Sequence, residues 1–129
     1  MAVEGVQWGM HTMNASEDLS GKDSDSRTYQ DRFVKLVSDG VELYDTVADK
    51  PFGVLQNRPK EGYPATISLG GVMRVRAGGT IAVGDAIGSD ATGKAIKQTT
   101  SGRYAIGVAL EAGVANQMVQ ILVRDLVKI

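Results

Sequence analysis

Short stretches of alternating apolar and polar residues, each ended by a turn, fill the chain from Arg32 onward. RFVKLV (32–37) and VELY (41–44) predict two strands joined by a Ser-Asp-Gly turn. EAGVANQM (111–118) alone hints at a helix. The pattern therefore predicts an all-β fold, a small sandwich or barrel of short strands. The other strand candidates are FGVLQ (52–56), ATISL (65–69), VMRVR (72–76), TIAV (80–83), AIG (86–88), KAIK (94–97), YAIGVAL (104–110) and QMVQILVRDLVKI (117–129).

The strand pattern occurs twice along the chain. Phe52-Gly53-Val54-Leu55 matches Ile106-Gly107-Val108-Ala109, which lies 54 positions later. The SDGVEL hairpin matches ATGKAI within a gap of one residue. Each half contains a hairpin, a Gly-Val strand, a loop and a long strand, so the sequence predicts two pseudo-repeated halves. The same offset places Ala65, Ile67, Leu69 and Val72 over Val119, Ile121, Val123 and Leu126.

The first thirty residues show neither helical nor strand periodicity. We therefore predict an extended N-terminal arm over residues 1–30 and a β domain over residues 31–129. Two interpretations of the arm remain open, a disordered terminus or a segment that docks on a partner. Docking is favoured by the apolar side chains spaced along its first part and by the single Trp of the chain. The arm residues predicted to contact a partner are Val6, Trp8, Met10 and His11.

Residues 88–94 read GSDATGK, the spacing of a phosphate-binding P-loop without its final Ser or Thr. A working P-loop opens a helix, whose N-terminal N–H groups hold the phosphates, and its hydroxyl residue binds Mg²⁺. Here Ala95 takes the place of the hydroxyl residue, and Asp90 puts a carboxylate inside the loop. The β-branched residues and the Ser-Gly break that follow disfavour a helix. The repeat instead predicts a polar hairpin tip with Gly93 at a positive φ.

Other catalytic and metal-binding patterns are incomplete. The chain has no cysteine, and His11 is its single histidine, which excludes thiol nucleophiles and metal sites built from several His or Cys residues. Asp23 with Asp25, and Asp85 with Asp90, resemble fragments of calcium loops but lack the required Gly and Glu. We therefore predict a protein that is not an enzyme and that uses no cofactor or metal.

Charge and hydropathy limit the class of partner. The net charge is -1, which argues against binding to nucleic acid. Residues 1–50 carry ten acids and five bases, whereas residues 51–129 carry five acids and nine bases, so an acidic arm could meet a basic surface on this chain or a partner. The apolar runs are too short to span a bilayer. No secretory signal pattern is present, so we expect synthesis in a cytosol without export.

Three segments carry a family resemblance. They are KPFGVLQNRPKEG (50–62), GGVMRVRAGGTIAVGDAIGSDATGKA (70–95) and YAIGVALEAG (104–113). Their ordered series, P-F-G-V-L-Q-N, G-G-V, A-G-G-x-I-x-x-G-D, D-x-x-G-K and I-G-x-A-L-E, resembles the bacteriophage capsid decoration proteins, also called cement or head-stabilising proteins. The resemblance extends over roughly residues 14–125.

This resemblance implies a small β domain on the outer surface of a phage head, made in the host cytoplasm. Such a protein is usually a homotrimer that bridges subunits of the major capsid protein. The Trp8–Met13 and Asp23–Arg27 stretches look longer than in a typical member, which leaves the role of the arm open. The alternatives are a β-clip domain that binds carbohydrate or accompanies an enzyme, and a β module of a phage fibre or tail.

Overall fold

The computed structural model describes residues 10–129, and these residues form ten strands without a helix. The first five strands make one antiparallel sheet and the last five make a second. The prediction of an all-β fold is confirmed, and strands form in all three family segments, although not at TIAV (80–83). The strands are β1 (Met10–Asn14), β2 (Phe33–Val37), β3 (Gly40–Leu43), β4 (Gly53–Leu55), β5 (Pro64–Ser68), β6 (Gly71–Arg76), β7 (Ala86–Ser89), β8 (Ala95–Lys97), β9 (Tyr104–Ala109) and β10 (Met118–Lys128).

The two sheets have the same topology. The strand order of the first is β1-β5-β4-β2-β3, and that of the second is β6-β10-β9-β7-β8, each label being five higher. The register agrees as well, since the Leu55–Ile67 pair recurs as Ala109–Ile121, each residue 54 positions later. Two pseudo-repeated halves are therefore confirmed at the level of hydrogen-bonded pairs. We call the chain from Met10 to Ser68 the first half and the chain from Gly71 onward the second half.

Each sheet curls until its two edge strands meet. A parallel bridge between Ala15 and Val41 joins the end of β1 to β3, and a bridge between Ala77 and Ala95 joins the end of β6 to β8. Edge closure of this kind leaves few unpaired backbone groups at the closing ends of the strands. Each half is thus a small barrel around its own core. The core of the first half contains Ala15, Leu19, Val34, Val41, Leu55, Ala65 and Ile67, and that of the second contains the matching residues Ala77, Ile81, Ile87, Ala95, Ala109, Val119 and Ile121.

The two barrels share an apolar contact and a very short connection. Phe33, Tyr44 and Val54 belong to the first half by strand position but pack into the core of the second. Only Leu69 and Gly70 lie between β5 and β6. The two halves are consequently held together by side-chain packing as well as by the chain itself.

Three local predictions were wrong. No strand was expected before Arg32, yet β1 forms, because its backbone pairs with β5 from Met10–Ser68 to Asn14–Pro64. TIAV is not a strand, since only Ile81 makes a bridge, to Gly113. EAGVANQM contains that bridge and a turn and is not helical. The predicted division at residue 30 stays a prediction.

Candidate partner-contact surfaces

The P-loop-like segment is a hairpin between β7 and β8. The Oδ1 atom of Asp90 accepts hydrogen bonds from the N–H of Thr92, the hydroxyl of Thr92 and the N–H of Lys94, each at 2.9 Å. Gly93 has a φ of 79°, as the hairpin interpretation required. Backbone N–H groups of Thr92 and Lys94 are therefore bound to the loop's own carboxylate. The predicted hairpin tip is confirmed, and phosphate would have to displace Asp90.

This tip is packed against the first half of the molecule. The N–H of Phe33 donates to the carbonyl of Gly93 at 2.8 Å, and Nη1 of Arg32 donates to the carbonyl of Thr92 at 3.2 Å. A Cβ atom on Gly93 would lie 2.8 Å from the Phe33 carbonyl oxygen. The Asp90 turn is thus part of the joint between the halves, whereas Asp39, in the equivalent turn of the first half, is exposed.

A second loop of the same design meets this hairpin. Oδ1 of Asp23 accepts hydrogen bonds from the N–H groups of Asp25 and Arg27, both at 2.9 Å, as Asp90 does four residues before Lys94. Its other oxygen forms an ion pair with Arg32, whose side chain is 1% exposed, and lies 4.0 Å from Nζ of Lys94. The close partner of Asp23 is thus Arg32, from the same part of the chain, and Lys94 is the base of the later chain that approaches it.

The Asp23 carboxylate is strongly stabilised in its ionised form. Burial raises its pKa, but hydrogen bonds from Arg32 and from the N–H groups of Arg27 and Asp25 outweigh burial and lower the pKa to about 2. Among residues 10–129, no three His, Asp or Glu side chains are grouped as a metal site would require. Asp23 therefore acts as an acceptor in a joint between loops.

Two of the four predicted partner-contact residues lie in the described part of the chain. Met10 is 60% exposed, and His11 is exposed beside it on β1. One edge of β1 pairs with β5, while the opposite edge meets β3 and its turn near Asn14 and Ala15, through the Ala15–Val41 bridge and the hydrogen bond from Asn14 Nδ2 to the Asp39 carbonyl. Met10 and His11 therefore lie on an accessible edge strand. Val6 and Trp8 lie outside the described residues.

A surface that sequence reasoning missed lies at the end of the second half. Two turns meet there, residues 82–84 and 110–115, and we call these residues the apolar tip. They are joined by reciprocal hydrogen bonds between Ile81 and Gly113, at 2.9 and 3.0 Å. Val83 is 68% exposed, Val114 51% and Leu110 41%. Exposed apolar side chains grouped in this way are typical of interaction surfaces.

The equivalent end of the first half is polar. Residues 56–61 read QNRPKE where residues 110–115 read LEAGVA, so Gln56 replaces Leu110 and Lys60 replaces Val114. The correspondence is fixed by the hydrogen bond from Leu19 N–H to the Pro59 carbonyl, which matches that from Ile81 to Gly113. The signal was available in the sequence, since the 54-residue offset aligns these loops directly.

A third surface is an open cleft of about 530 Å³ between the two halves. The side chain of Lys50 lies over the Tyr104 ring, with its nitrogen 5.9 Å from the ring centre. Leu36 and Leu126 contribute exposed apolar walls. An apolar cleft with an aromatic wall and a few charges is suited to a small organic ligand or a short peptide. It is lined by Lys35, Leu36, Ala48, Asp49, Lys50, Pro51, Phe52, Tyr104 and Leu126.

The family model described as "Phage cement protein" matches residues 25–124, which is most of the chain. The chain belongs to the phage cement protein family. The resemblance noted in the three sequence segments is thereby confirmed, and the protein is a phage structural protein of the virion. The match begins at Asp25 and ends at Arg124, so it includes β2 to β9 in full and β10 in part.

A solved structure shares the fold of this cement protein. It is the N base of the head fiber gp8.5 of bacteriophage phi29, with a TM-score of 0.63 and 19% sequence identity over 89% of this chain and 92% of that chain. A search of curated protein sequences gives no significant match. Within residues 10–129, no helix has the length and hydrophobicity needed to cross a membrane.

Proposed function

We propose that this cement protein binds the outer surface of a phage head and stabilises it by bridging neighbouring subunits of the major capsid protein. The family match over residues 25–124 is the observation that carries the proposal. The protein is made in the host cytoplasm and joins the assembled head from outside. No catalytic step, cofactor or nucleic acid takes part in this function.

The protein acts as a homotrimer in this proposal. A trimer that engages several capsid subunits at once gains affinity through effective concentration, so each single contact can be weak. Weak single contacts also keep the free protein soluble before heads are available. The residues proposed for contact with the capsid or a neighbouring copy are those of the arm, Val6, Trp8, Met10 and His11.

The accessible edge of β1 supports a role for Met10 and His11. Met10 is exposed at the end of β1 opposite to the Ala15–Val41 bridge. An exposed Met and an adjacent His offer an apolar and a polar contact from a rigid strand. Residues 1–9 precede this strand directly and would extend the contact.

The test uses heads prepared without this protein. Adding the purified protein should restore resistance of the heads to heat and to chelators, measured as release of packaged DNA. Heads that are equally resistant with and without the protein would refute capsid stabilisation. Removing residues 1–9 while leaving β1 intact should weaken head binding, with the melting temperature of the protein unchanged. Asp39→Ala at the exposed β2–β3 turn is the matched control and should bind normally.

Carbohydrate binding is a second candidate, which the cleft between the halves favours. Tyr104 and Phe52 provide aromatic surface of the kind on which sugar rings stack. A bound oligosaccharide would raise the melting temperature by an amount that grows with the logarithm of its concentration relative to Kd, and Tyr104→Ala would abolish that rise. If no oligosaccharide from a panel of host surface glycans changes the melting temperature, carbohydrate binding is refuted and capsid binding is unaffected.

A further inference from the structure

We infer that the apolar tip of the second half, residues 82–84 and 110–115, is the surface through which copies of this chain bind one another. The inference rests on the self-association included in the proposed function and gives it a location. Its evidence comes from comparing the two halves, because the same fold occurs with and without a covering segment.

In the first half, the chain itself covers part of the equivalent surface, around Gln56, while Gly21 and Lys60 stay exposed. Leu19 is equivalent to Ile81. The hydrogen bond from the Asp31 N–H to the Leu55 carbonyl is equivalent to that from the Gly84 N–H to the Ala109 carbonyl. Because the first half has more residues between these two points than the second half, residues 22–30 are an insertion without a counterpart. From this insertion, Nε2 of Gln30 donates to the Gln56 carbonyl at 2.8 Å.

Two more contacts are made at this end of the first half. Tyr29 packs on the core of the first half, and Arg58 donates a hydrogen bond to the Ser20 carbonyl at 3.1 Å. In the second half, the positions of Gln56 and Ser20 are taken by Leu110 and Ala82, and both are exposed. The part of the barrel end that the insertion covers in the first half, around Gln56, is thus exposed in the second half, at Leu110.

Side chains of the same chain hold one backbone N–H group in each turn of the apolar tip. Oδ2 of Asp85 accepts a hydrogen bond from the Ala82 N–H at 2.8 Å, and the Gln117 side chain accepts one from the Val114 N–H at 3.0 Å. These bonds fix both turns, so Val83, Leu110 and Val114 are presented in a defined arrangement. A partner would therefore bind the tip by packing against these side chains, with little ordering cost.

The charge of the tip favours a second copy as that partner. A symmetric assembly places the same patch from each subunit side by side, so the patch must tolerate its own charge. The tip has one charged residue, Glu111, and its carboxylate accepts the Gln120 N–H at 2.9 Å. The equivalent end of the first half has Arg58 and Lys60, which would repel their own copies.

The decisive variant gives the second half the residue that the first half already has. Val114→Lys places at the tip the counterpart of Lys60, and Val83→Lys introduces a positive charge at the neighbouring turn, where the first half has Gly21. Each should weaken self-association at least about tenfold, because like charges are then brought together at the contact. Gly21→Lys is the matched control, since it lies at the position equivalent to Val83 and a Cβ there meets no atom within 4 Å.

Sedimentation velocity over a range of protein concentrations measures the assembly state, and circular dichroism melting checks that each variant is folded. We expect an oligomer for wild type and Gly21→Lys, and folded monomers for Val114→Lys and Val83→Lys. A wild-type protein that stays monomeric, or a folded Val114→Lys that assembles like wild type, overturns the inference. Binding to phage heads then distinguishes self-association through the tip from binding to the capsid. If Val114→Lys assembles normally but no longer binds heads, the tip contacts the capsid instead; if wild type assembles through the tip but never binds heads, capsid binding alone fails.

Discussion

Two glycines at equivalent places in the halves allow a quantitative test of the duplicated architecture. In each barrel the strand that carries the glycine, β4 or β9, crosses close to the next strand. A Cβ atom on Gly53 would lie 2.6 Å from both Cγ2 of Ile67 and the carbonyl oxygen of Ser68. On Gly107 it would lie 2.5 Å from the Leu122 carbonyl oxygen. Leu122 follows Ser68 by the same 54 positions, so the same contact is built twice.

We expect Gly53→Ala and Gly107→Ala each to destabilise the protein by about 1–3 kcal/mol. Ordinary carbon contacts are near 3.5–4.0 Å, so the added methyl group overlaps a backbone oxygen by roughly 1 Å. The oxygen belongs to a paired strand, and a rotamer change cannot relieve the overlap. The strands must separate instead. A loss of this size is a large part of the usual stability of a small domain, roughly 5–15 kcal/mol.

Urea unfolding followed by circular dichroism measures this loss. With a slope of about 1–3 kcal/mol per molar urea, each midpoint should fall by about 1 M. Gly79→Ala is the control, because no atom lies within 4 Å of its added Cβ and its midpoint should not change. If Gly53→Ala unfolds at the same urea concentration as Gly79→Ala, the packing argument is refuted. If only one of the two glycines is sensitive, the halves are not equivalent in energy.

Three further predictions concern the loops. The pKa of Asp23 is lowered to about 2 in the folded protein, so its ion pair stabilises the fold fully above about pH 4 and that stabilisation is lost as the pH falls through 2. Asp23→Asn should therefore cost roughly 1–2 kcal/mol at pH 7 and much less at pH 2, measured by urea unfolding; a cost independent of pH would contradict the assignment. Asp90→Ala should cost about 1–2 kcal/mol through the lost turn hydrogen bonds, whereas Asp39→Ala, at the exposed turn, should be neutral in the same assay. Millimolar Mg-ATP should leave the melting temperature unchanged, because Asp90 holds the loop N–H groups; a rise that Lys94→Ala abolishes would revive the phosphate-loop interpretation.

The sequence pattern predicted most of the second half and the strands of the first half after Arg32. The side chains of these strands alternate between the core and the surface, or the strands contain the Gly-Val pair, so the burial of each strand is visible as a pattern in the sequence. β1 escaped detection because four of its five residues are exposed and it is held by backbone pairing with β5, which leaves no apolar alternation. A strand stabilised by its backbone alone has no periodic signal to find.

The contact surfaces were harder to predict than the strands, for a different physical reason. Val83 and Val114 are exposed because the second half lacks the insertion found in the first half. A short segment of sequence around either residue does not show that an insertion is absent elsewhere. The Asp23 loop did carry a signal, since DSDSR and DATGK share an acid followed four residues later by a base. Comparing the halves with each other would have identified the uncovered tip, and comparing the two acid-to-base loops would have identified the Asp23 turn.

The two-residue connection between β5 and β6 has a mechanical consequence. Only Leu69 and Gly70 lie between the strands, and the Gly93 hairpin is hydrogen-bonded to Phe33. The contact between the two halves therefore leaves little room for a hinge motion. A force applied between the β1 edge and the far end of the second half acts on the packed side chains of both barrels and on the hydrogen bonds between them at the same time. We therefore expect the protein to behave as a stiff element, which transmits force between its two ends with little extension.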